Sequence, residues 1–198
     1  MSIRPDFAQA GLQRTVEDEN PVIEWRPNLS WVTDRLAVGG SFPAERARLL
    51  AEVHRVKAVV DLRSEARDDE VALRRHGMTF LHLPTDDHCA VTPARLDDGV
   101  MFATWHLERG ERVLIHCEHG IGRSATLALC VLVAGGLDPL DALALAKDRR
   151  SLVSPSPAQF ECWMRWLVRE RQRSGAGWDL PSFDAFKAIA YRHLRHVA

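Results

Sequence analysis

Val113–Ser124 reads VLIHCEHGIGRS and runs on as ATLALCVLVAGG over 125–136. A run of apolar residues leads into Cys117, five residues with two glycines follow, and Arg123 and Ser124 open an apolar helical stretch. A strand–loop–helix turn of this kind aims successive backbone N–H groups and a helix N-terminus at one point, which makes an anion site. Gly120 and Gly122 allow backbone angles and close approaches that a side chain would obstruct. A cysteine beneath such a cradle feels the helix dipole, the amides and the guanidinium together, and each favours thiolate. Its pKa is expected to fall from about 8.5 into the range of roughly 3.5 to 7.5. Arg123 offers a planar fork able to hold two oxygens of a phosphoryl group.

The bare spacing of cysteine, five residues and arginine decides nothing, because Cys89–Arg95 (CAVTPAR) repeats it. That second copy has no glycine, contains Pro93, which lacks an N–H, and follows no buried strand directly. The informative signal is the full pattern, with a strand before it and a helix after it.

Working outward, short apolar runs at Leu36–Val38, Ala58–Leu62, Thr79–Leu83 and Val113–His116 read as strands. Helical patterns fall between them. Pro43–Arg55 carries Leu49, Leu50 and Val53 on one side, and Pro93–Arg109 has a stripe of Leu96, Val100, Ala103 and Leu107. Asp138–Pro139 opens a helix at 140–149, and Ser156–Gln159 reads as a capping box that opens another to about Arg171. Alternating strands and helices predict an α/β fold: a central, mostly parallel sheet of four or five strands with helices on both faces. A polar extension at 1–24, a body at 25–172 and a Gly/Ser break leading to a helix at 182–196 that docks on the body complete the division, with 173–198 taken as linker and terminal helix.

The 198 residues are 46% hydrophobic, enough for one domain with a sizeable core, and 26 basic against 27 acidic residues leave a net charge of −1. No basic surplus points to nucleic acid. The longest nearly apolar run, Ser124–Gly136, is shorter than the roughly 20 residues of a membrane span. The N-terminus lacks the apolar core of a secretory signal, and four cysteines are too few for a disulfide scaffold, so a cytoplasmic location is expected.

HCEHGIGRS resembles the phosphate-binding loop of the cysteine-dependent protein tyrosine phosphatases, in their compact dual-specificity branch. The resemblance extends over roughly residues 25–170. WVTDRLAVGGSF is similar to the family's opening strand and AVVDLRSE to a following one. FLHLPTDDH is similar to the general-acid segment, and SPSPAQF to the start of a later helix. It implies that Cys117 attacks phosphorus and forms a cysteinyl-phosphate, without metal or other cofactor. Arg123 and the amides of Glu118, His119, Gly120, Ile121 and Gly122 are then expected to bind the phosphoryl oxygens. The resemblance also implies that Ser124 hydrogen-bonds the sulfur and eases its departure, and that His116 holds the cysteine and loop in place. The resemblance favours Asp87 over Asp86 as proton donor, with hydrogen-bond reach as the arbiter. The implied partner is a phosphorylated protein or a small phosphorylated molecule, with neither nucleic acid nor a membrane span.

Other residues admit plainer readings. Gln159 either positions water or serves as the capping partner of Ser156, the reading favoured here. Asp61 and Arg63 support the site or form a strand-end ion pair. Cys89 is a candidate redox partner for Cys117, whereas Cys130, Cys162 and the stripe Phe160, Trp163, Leu167 read as core. A metal site built from His88, Cys89, His116, Cys117 and His119 leaves the glycines and Arg123 without a role. A module that binds phosphate without cleaving it, and a sulfur transferase, are the remaining alternatives. The loop adds no positive charge, and Glu118 would repel a polyanionic head group if it faced the cavity. That disfavours phosphoinositides and RNA 5′-triphosphate ends. The single tyrosine, Tyr191, falls in the terminal helical stretch, which leaves no candidate for the tyrosine-bearing loop that deepens the pocket of strictly tyrosine-specific relatives, so the resemblance implies a shallower cleft for phosphotyrosine and also phosphoserine or phosphothreonine.

Overall fold

Strand order places the Cys117 loop at the centre of the sheet. The computed structural model describes residues 26–196, so the polar stretch at 1–24 lies outside the described residues. Five strands, β1 (Leu29–Trp31), β2 (Leu36–Gly39), β3 (Val56–Arg63), β4 (Thr79–Thr85) and β5 (Arg112–His116), form one sheet in the order β1-β2-β5-β3-β4. Only the β1–β2 pairing is antiparallel. β5 is therefore flanked by β2 and β3, and Cys117 follows its carboxyl end, where open α/β sheets bind ligands.

Alternation along the strands sorts their side chains onto two faces. Leu36, Val38, Ala58, Val60, Val113 and Ile115 join one core cluster with residues of α3 (Pro93–Glu108), α4 (Arg123–Ala134), α5 (Pro139–Arg149), α6 (Pro157–Ser174) and α7 (Phe183–Ala190). Ala37, Val59 and Leu114 join a smaller one with α1 (Ala47–Glu52) and α2 (Glu70–Arg75). The sheet is mostly parallel and covered on both faces, as its sequence pattern predicts. Every residue of α4 from Arg123 to Val133 is buried. The apolar run is thus the central helix of the core. Among the described residues no helix is long and apolar enough to cross a membrane.

Several boundaries differ from the sequence expectations. β1 and α2 were not anticipated: one is three residues long, and the other buries only Leu73, so neither carries a readable period. The Pro43–Arg55 pattern breaks into a 3-10 turn at Ala44–Arg46 and the short α1. Leu50 is buried, but Val53 is 63% exposed, because the chain has left the helix and turns at Arg55 with φ 56°. Asp138 has the extended backbone of an N-cap, yet its side chain caps nothing. The Ser156–Gln159 capping box forms in full, and α6 ends at Gly175 with φ 68°. The terminal helix is α7, capped by Ser182 and followed by a 3-10 turn at Arg192–His196. Phe186 buries fully against the rings of Phe160 and Trp163.

Candidate active site

The loop between β5 and α4 is held by its carbonyls. Ser41 N–H donates to the Glu118 carbonyl at 3.0 Å, Ser154 N–H to that of Ile121 at 3.0 Å, and Thr126 N–H to that of Gly122 at 2.8 Å. Arg150, 5% exposed, takes the two between, donating from Nη2 to His119 and from Nε to Gly120, both at 2.8 Å. A carbonyl held from behind turns the amide edge of the loop inward, and Gly120 N–H reaches Cys117 Sγ at 3.3 Å. Gly120 adopts φ +72°, and a Cβ there would lie 2.5 Å from Arg150 Nη2 and 2.6 Å from the Gly39 carbonyl, so only glycine fits.

Cys117 is 3% exposed at the floor of a cavity of about 180 Å³, lined also by Asp87, His88, His119, Ile121, Ser154, Ser156 and Gln159. Burial alone would push its thiol up. Hydrogen bonds from Ser124 Oγ, at 3.3 Å, and from the amides of Ser124, Gly120 and His119 outweigh burial and hold the pKa below the ordinary thiol value. The sulfur is thus poised towards thiolate.

Arg123 is 1% exposed and uses its guanidinium edges differently from the sequence expectation. Its terminal fork is taken by Glu65 in a bidentate pair, Nη2 to Oε1 at 2.7 Å and Nη1 to Oε2 at 2.8 Å, with Nη1 also donating to the Thr85 carbonyl at 2.8 Å. The other edge holds Asp87 on Nη2 at 3.2 Å and a buried Nε with no partner. A buried N–H without an acceptor is costly, so this edge of Arg123 keeps an unused donor.

Beneath the loop lies a buried charge network. Arg63 pairs with Asp61 through Nε and Nη2, both at 3.0 Å, and with Asp68 at 2.6 Å, and Asp68 accepts from His116 Nε2 at 2.7 Å. Burial would raise the Asp61 carboxyl, but the Arg63 hydrogen bonds and the His116 charge reverse that and hold it below the usual carboxylate value. The strand-end ion pair read from sequence therefore exists, and through Asp68 it also anchors His116. Glu118, feared as a repulsive group, is drawn aside by Ser41 Oγ at 3.2 Å and Arg63 Nη1 at 3.4 Å and does not line the cavity.

The two aspartates separate. Asp86 accepts from Ser64 Oγ at 2.6 Å, outside the cavity, whereas Asp87 lines it. His88 turns that segment with φ 59°, and Ser156 Oγ holds its carbonyl at 3.0 Å. Gln159 spends both ends of its amide on structure, Oε1 accepting from Ser156 N–H at 2.8 Å and Nε2 donating to the Cys89 carbonyl at 3.3 Å, and it abuts Gly122. Cys89 is exposed and does not line the cavity. Cys130 and Cys162 are buried with thiols raised by burial. The donors that converge are Asp61, Asp68 and His116, not the five His and Cys residues of the sequence-level metal set. Arg63 sits among them, so a cation there would be repelled.

The sequence reading missed Glu65, Asp68, Arg150 and Ser154. Only Glu65 had a visible trace, as the last residue of the AVVDLRSE segment.

An α/β sheet that carries a cysteine beneath inward amides, at the carboxyl end of its central strand, defines a cysteine-centred oxyanion-binding protein. The family described as "Dual specificity phosphatase, catalytic domain" matches residues 40–169, and the chain belongs to it. Dual specificity protein phosphatase 5 of Homo sapiens is 30% identical over 123 residues, 61% of this chain and 31% of that protein. Dual specificity protein phosphatase 2 of Homo sapiens is 37% identical over 79 residues, 39% of this chain and 25% of that protein. The chain thus matches less than a third of the length of either relative. Among solved structures, PTPMT1 in complex with PI(5)P is similar in fold, with a TM-score of 0.70 at 23% identity, covering 74% of this chain and 99% of that one. Tk-PTP in its active form has a TM-score of 0.66 at 25% identity, covering 72% and 98%.

Proposed function

We propose that the protein hydrolyses phosphate monoesters on proteins, phosphotyrosine and also phosphoserine or phosphothreonine, through a cysteinyl-phosphate intermediate. One observation carries the reading: Cys117 Sγ lies under the loop amides and beside Ser124 Oγ, in a cavity whose rim carries Asp87. Family membership supports the same chemistry.

The arriving phosphoryl group takes the free edge of Arg123, Nε and Nη2, and displaces Asp87 from Nη2, while Glu65 keeps the other edge and fixes the plane of the guanidinium. The inward amides hold the remaining oxygens. Released from the guanidinium, Asp87 takes up a proton from solvent; Cys117 thiolate attacks phosphorus, the P–O bond to the substrate breaks, and the leaving oxygen takes that proton from Asp87. Water then attacks the phosphocysteine and gives a proton to the Asp87 carboxylate. The P–S bond breaks with Ser124 Oγ–H bonded to the departing thiolate, and inorganic phosphate leaves. His116 stays bonded to Asp68 throughout and holds the loop. Lysine and arginine are missing from the residues lining the cavity, whose rim offers two imidazoles and two hydroxyls. That suits a single phosphoryl group on a flat chain better than a multiply phosphorylated head group.

The test is p-nitrophenyl phosphate hydrolysis in excess EDTA and reductant by the wild type, Cys117→Ser and Asp87→Asn. The serine variant is expected to lose turnover and still bind vanadate. The asparagine variant is expected to slow phenyl phosphate by about 100-fold or more and p-nitrophenyl phosphate much less, because a good leaving group needs little proton assistance. Wild-type turnover by Cys117→Ser overturns the nucleophile. The same leaving-group pattern in Asp86→Asn, and not in Asp87→Asn, transfers the acid role to Asp86.

A further inference from the structure

The family match ends at residue 169, yet the chain beyond it is bonded into the support of the phosphate-binding loop. The intermediary is the segment 150–155 between α5 and α6. Its Ser154 N–H holds the Ile121 carbonyl, one of the five outward carbonyls of the loop. The same segment is gripped from its other side by the end of α7 and the residues that follow it. Ser154 Oγ donates to the Ala190 carbonyl at 3.2 Å, and Tyr191 Oη donates to the Pro155 carbonyl at 2.6 Å. Lys147 joins the two sides. It is 1% exposed, and its Nζ donates to the carbonyls of Ser151 at 2.6 Å and Val153 at 2.8 Å and to His193 Nδ1 at 2.9 Å.

These bonds are not needed merely to dock the terminal helix. Phe186 and Ala190 are fully buried in the main core and supply that docking. The bonds from Tyr191 and Lys147 end instead on backbone carbonyls of 151–155, a segment with no helix or strand hydrogen bonds of its own to fix it. Lys147 forms no ion pair among the described residues. Burial and the nearby Arg192 lower its pKa to about 8. A buried ammonium held by two carbonyls, the Ser154 hydroxyl at 3.3 Å and the His193 ring, with no carboxylate, is expensive unless every proton is placed, so its partners are constrained to stay where they are.

We propose that residues 190–193 act as a brace for the phosphate-binding loop, with Tyr191, and Lys147 through His193, as positioning residues. They fix 151–155, which fixes Ile121, and so help set the inward aim of the loop amides on the anion and on Cys117. The inference rests on the reading that this loop binds a phosphoryl group. It adds that the fold's site is completed by chain outside the matched family domain.

The test uses the full chain with Tyr191→Phe and Lys147→Met. Met78→Ala serves as the control for mere loss of stability, since Met78 is buried in the smaller core on the other face of the sheet. Three quantities are read: protection of Cys117 by inorganic phosphate against iodoacetamide, the pH midpoint of that alkylation, and kcat/KM on p-nitrophenyl phosphate. Tyr191→Phe keeps the ring packed on Phe186 and removes only the hydroxyl. It is expected to weaken phosphate protection and kcat/KM about fivefold and to move the alkylation midpoint upward. Lys147→Met is expected to do the same by a larger factor, and the control to melt earlier with all three quantities unchanged. Folded Tyr191→Phe with wild-type protection and kcat/KM overturns the brace, and it decides alone if Lys147→Met does not fold. Equal losses in the control also overturn it, since the effect would then be one of stability. A wild type whose Cys117 is protected by phosphate without turnover defeats the phosphatase reading but leaves the brace to be judged on protection. A wild type that phosphate does not protect defeats both.

Discussion

Replacing Glu65 by glutamine isolates the device that aims Arg123. The wild-type pair makes two charge-assisted bonds of 2.7 and 2.8 Å to a guanidinium that is 1% exposed, while the Glu65 side chain is 42% exposed. The Arg123 hydrogen bond is the main cause that lowers the Glu65 carboxyl from 4.5 to about 2. At about 1.4 kcal/mol per unit, a fully buried pair with that shift would contribute about 3 kcal/mol. Solvent screens an acid this exposed, so roughly 1–1.5 kcal/mol is expected at pH 7. A depressed carboxyl contributes stability above its unfolded value and loses it as pH falls towards the folded one. The wild type should therefore lose this increment between about pH 4.5 and pH 2, and Glu65→Gln should lack that part of the pH dependence. Glutamine retains the size but presents one acceptor where the fork needs two, so the guanidinium is free to swing. If the full increment is spent on aiming, kcat/KM for p-nitrophenyl phosphate falls about tenfold. Urea denaturation at pH 7, 4.5 and 3, together with steady-state kinetics at pH 7, measures both. Wild-type stability at pH 7 with unchanged kcat/KM would refute the aiming role, and an unchanged slope of stability below pH 4.5 would refute the ion pair itself.

Asp68→Asn should cost about 3 kcal/mol in a denaturation experiment, because it leaves His116 and Arg63 short of a buried carboxylate that both use; wild-type stability would show that Asp68 does not anchor His116. Gly120→Ala should lower kcat/KM by more than 100-fold and abolish phosphate protection of Cys117, since a Cβ at φ +72° collides with Arg150 and the Gly39 backbone. An active alanine variant would mean that the loop opens without losing its function. Ser156→Ala should cost about 1 kcal/mol as a lost N-cap and also free the His88 carbonyl beside Asp87. Its kcat on phenyl phosphate should then fall while phosphate inhibition holds, and an equal change in both would place Ser156 with the loop instead.

What the sequence disclosed was whatever lay contiguous in it. The cradle, the cysteine proposed as nucleophile and the arginine sit within eight residues, from Cys117 to Ser124, and glycines in a strand–loop–helix setting have few other reasons to be there. The inner strands of the sheet were legible for the same reason, since β2, β3 and β5 are buried on both faces and read as plain apolar runs, whereas the short, half-buried β1 did not. Gln159 was legible because a capping box is local. The residues that orient the site were not. Glu65 meets Arg123 across 58 positions, Asp68 meets His116 across 48, and Arg150 meets Gly120 across 30. In a chain with 26 basic and 27 acidic residues, nothing local distinguishes these from solvated surface charges.

That long-range layer also resolves a difficulty the sequence posed. Asp61, Glu65, Asp68, Asp87 and Glu118 surround a site meant for a dianion, which on charge alone should repel it. All but Asp87 are held by a cation on the side away from the anion: Arg63 takes Asp61, Asp68 and one oxygen of Glu118, and Arg123 takes Glu65 on the edge it does not need. Asp87 alone shares an atom, Arg123 Nη2, with the place the phosphoryl group would take. Binding is then an exchange of one oxyanion for another at a fixed guanidinium, and the carboxylate displaced, freed of its cation, can take up from solvent the proton that the leaving oxygen requires. The acids around the loop set direction, so removing Asp61, Glu65, Asp68 or Glu118 should misaim a positive group rather than strengthen phosphate binding.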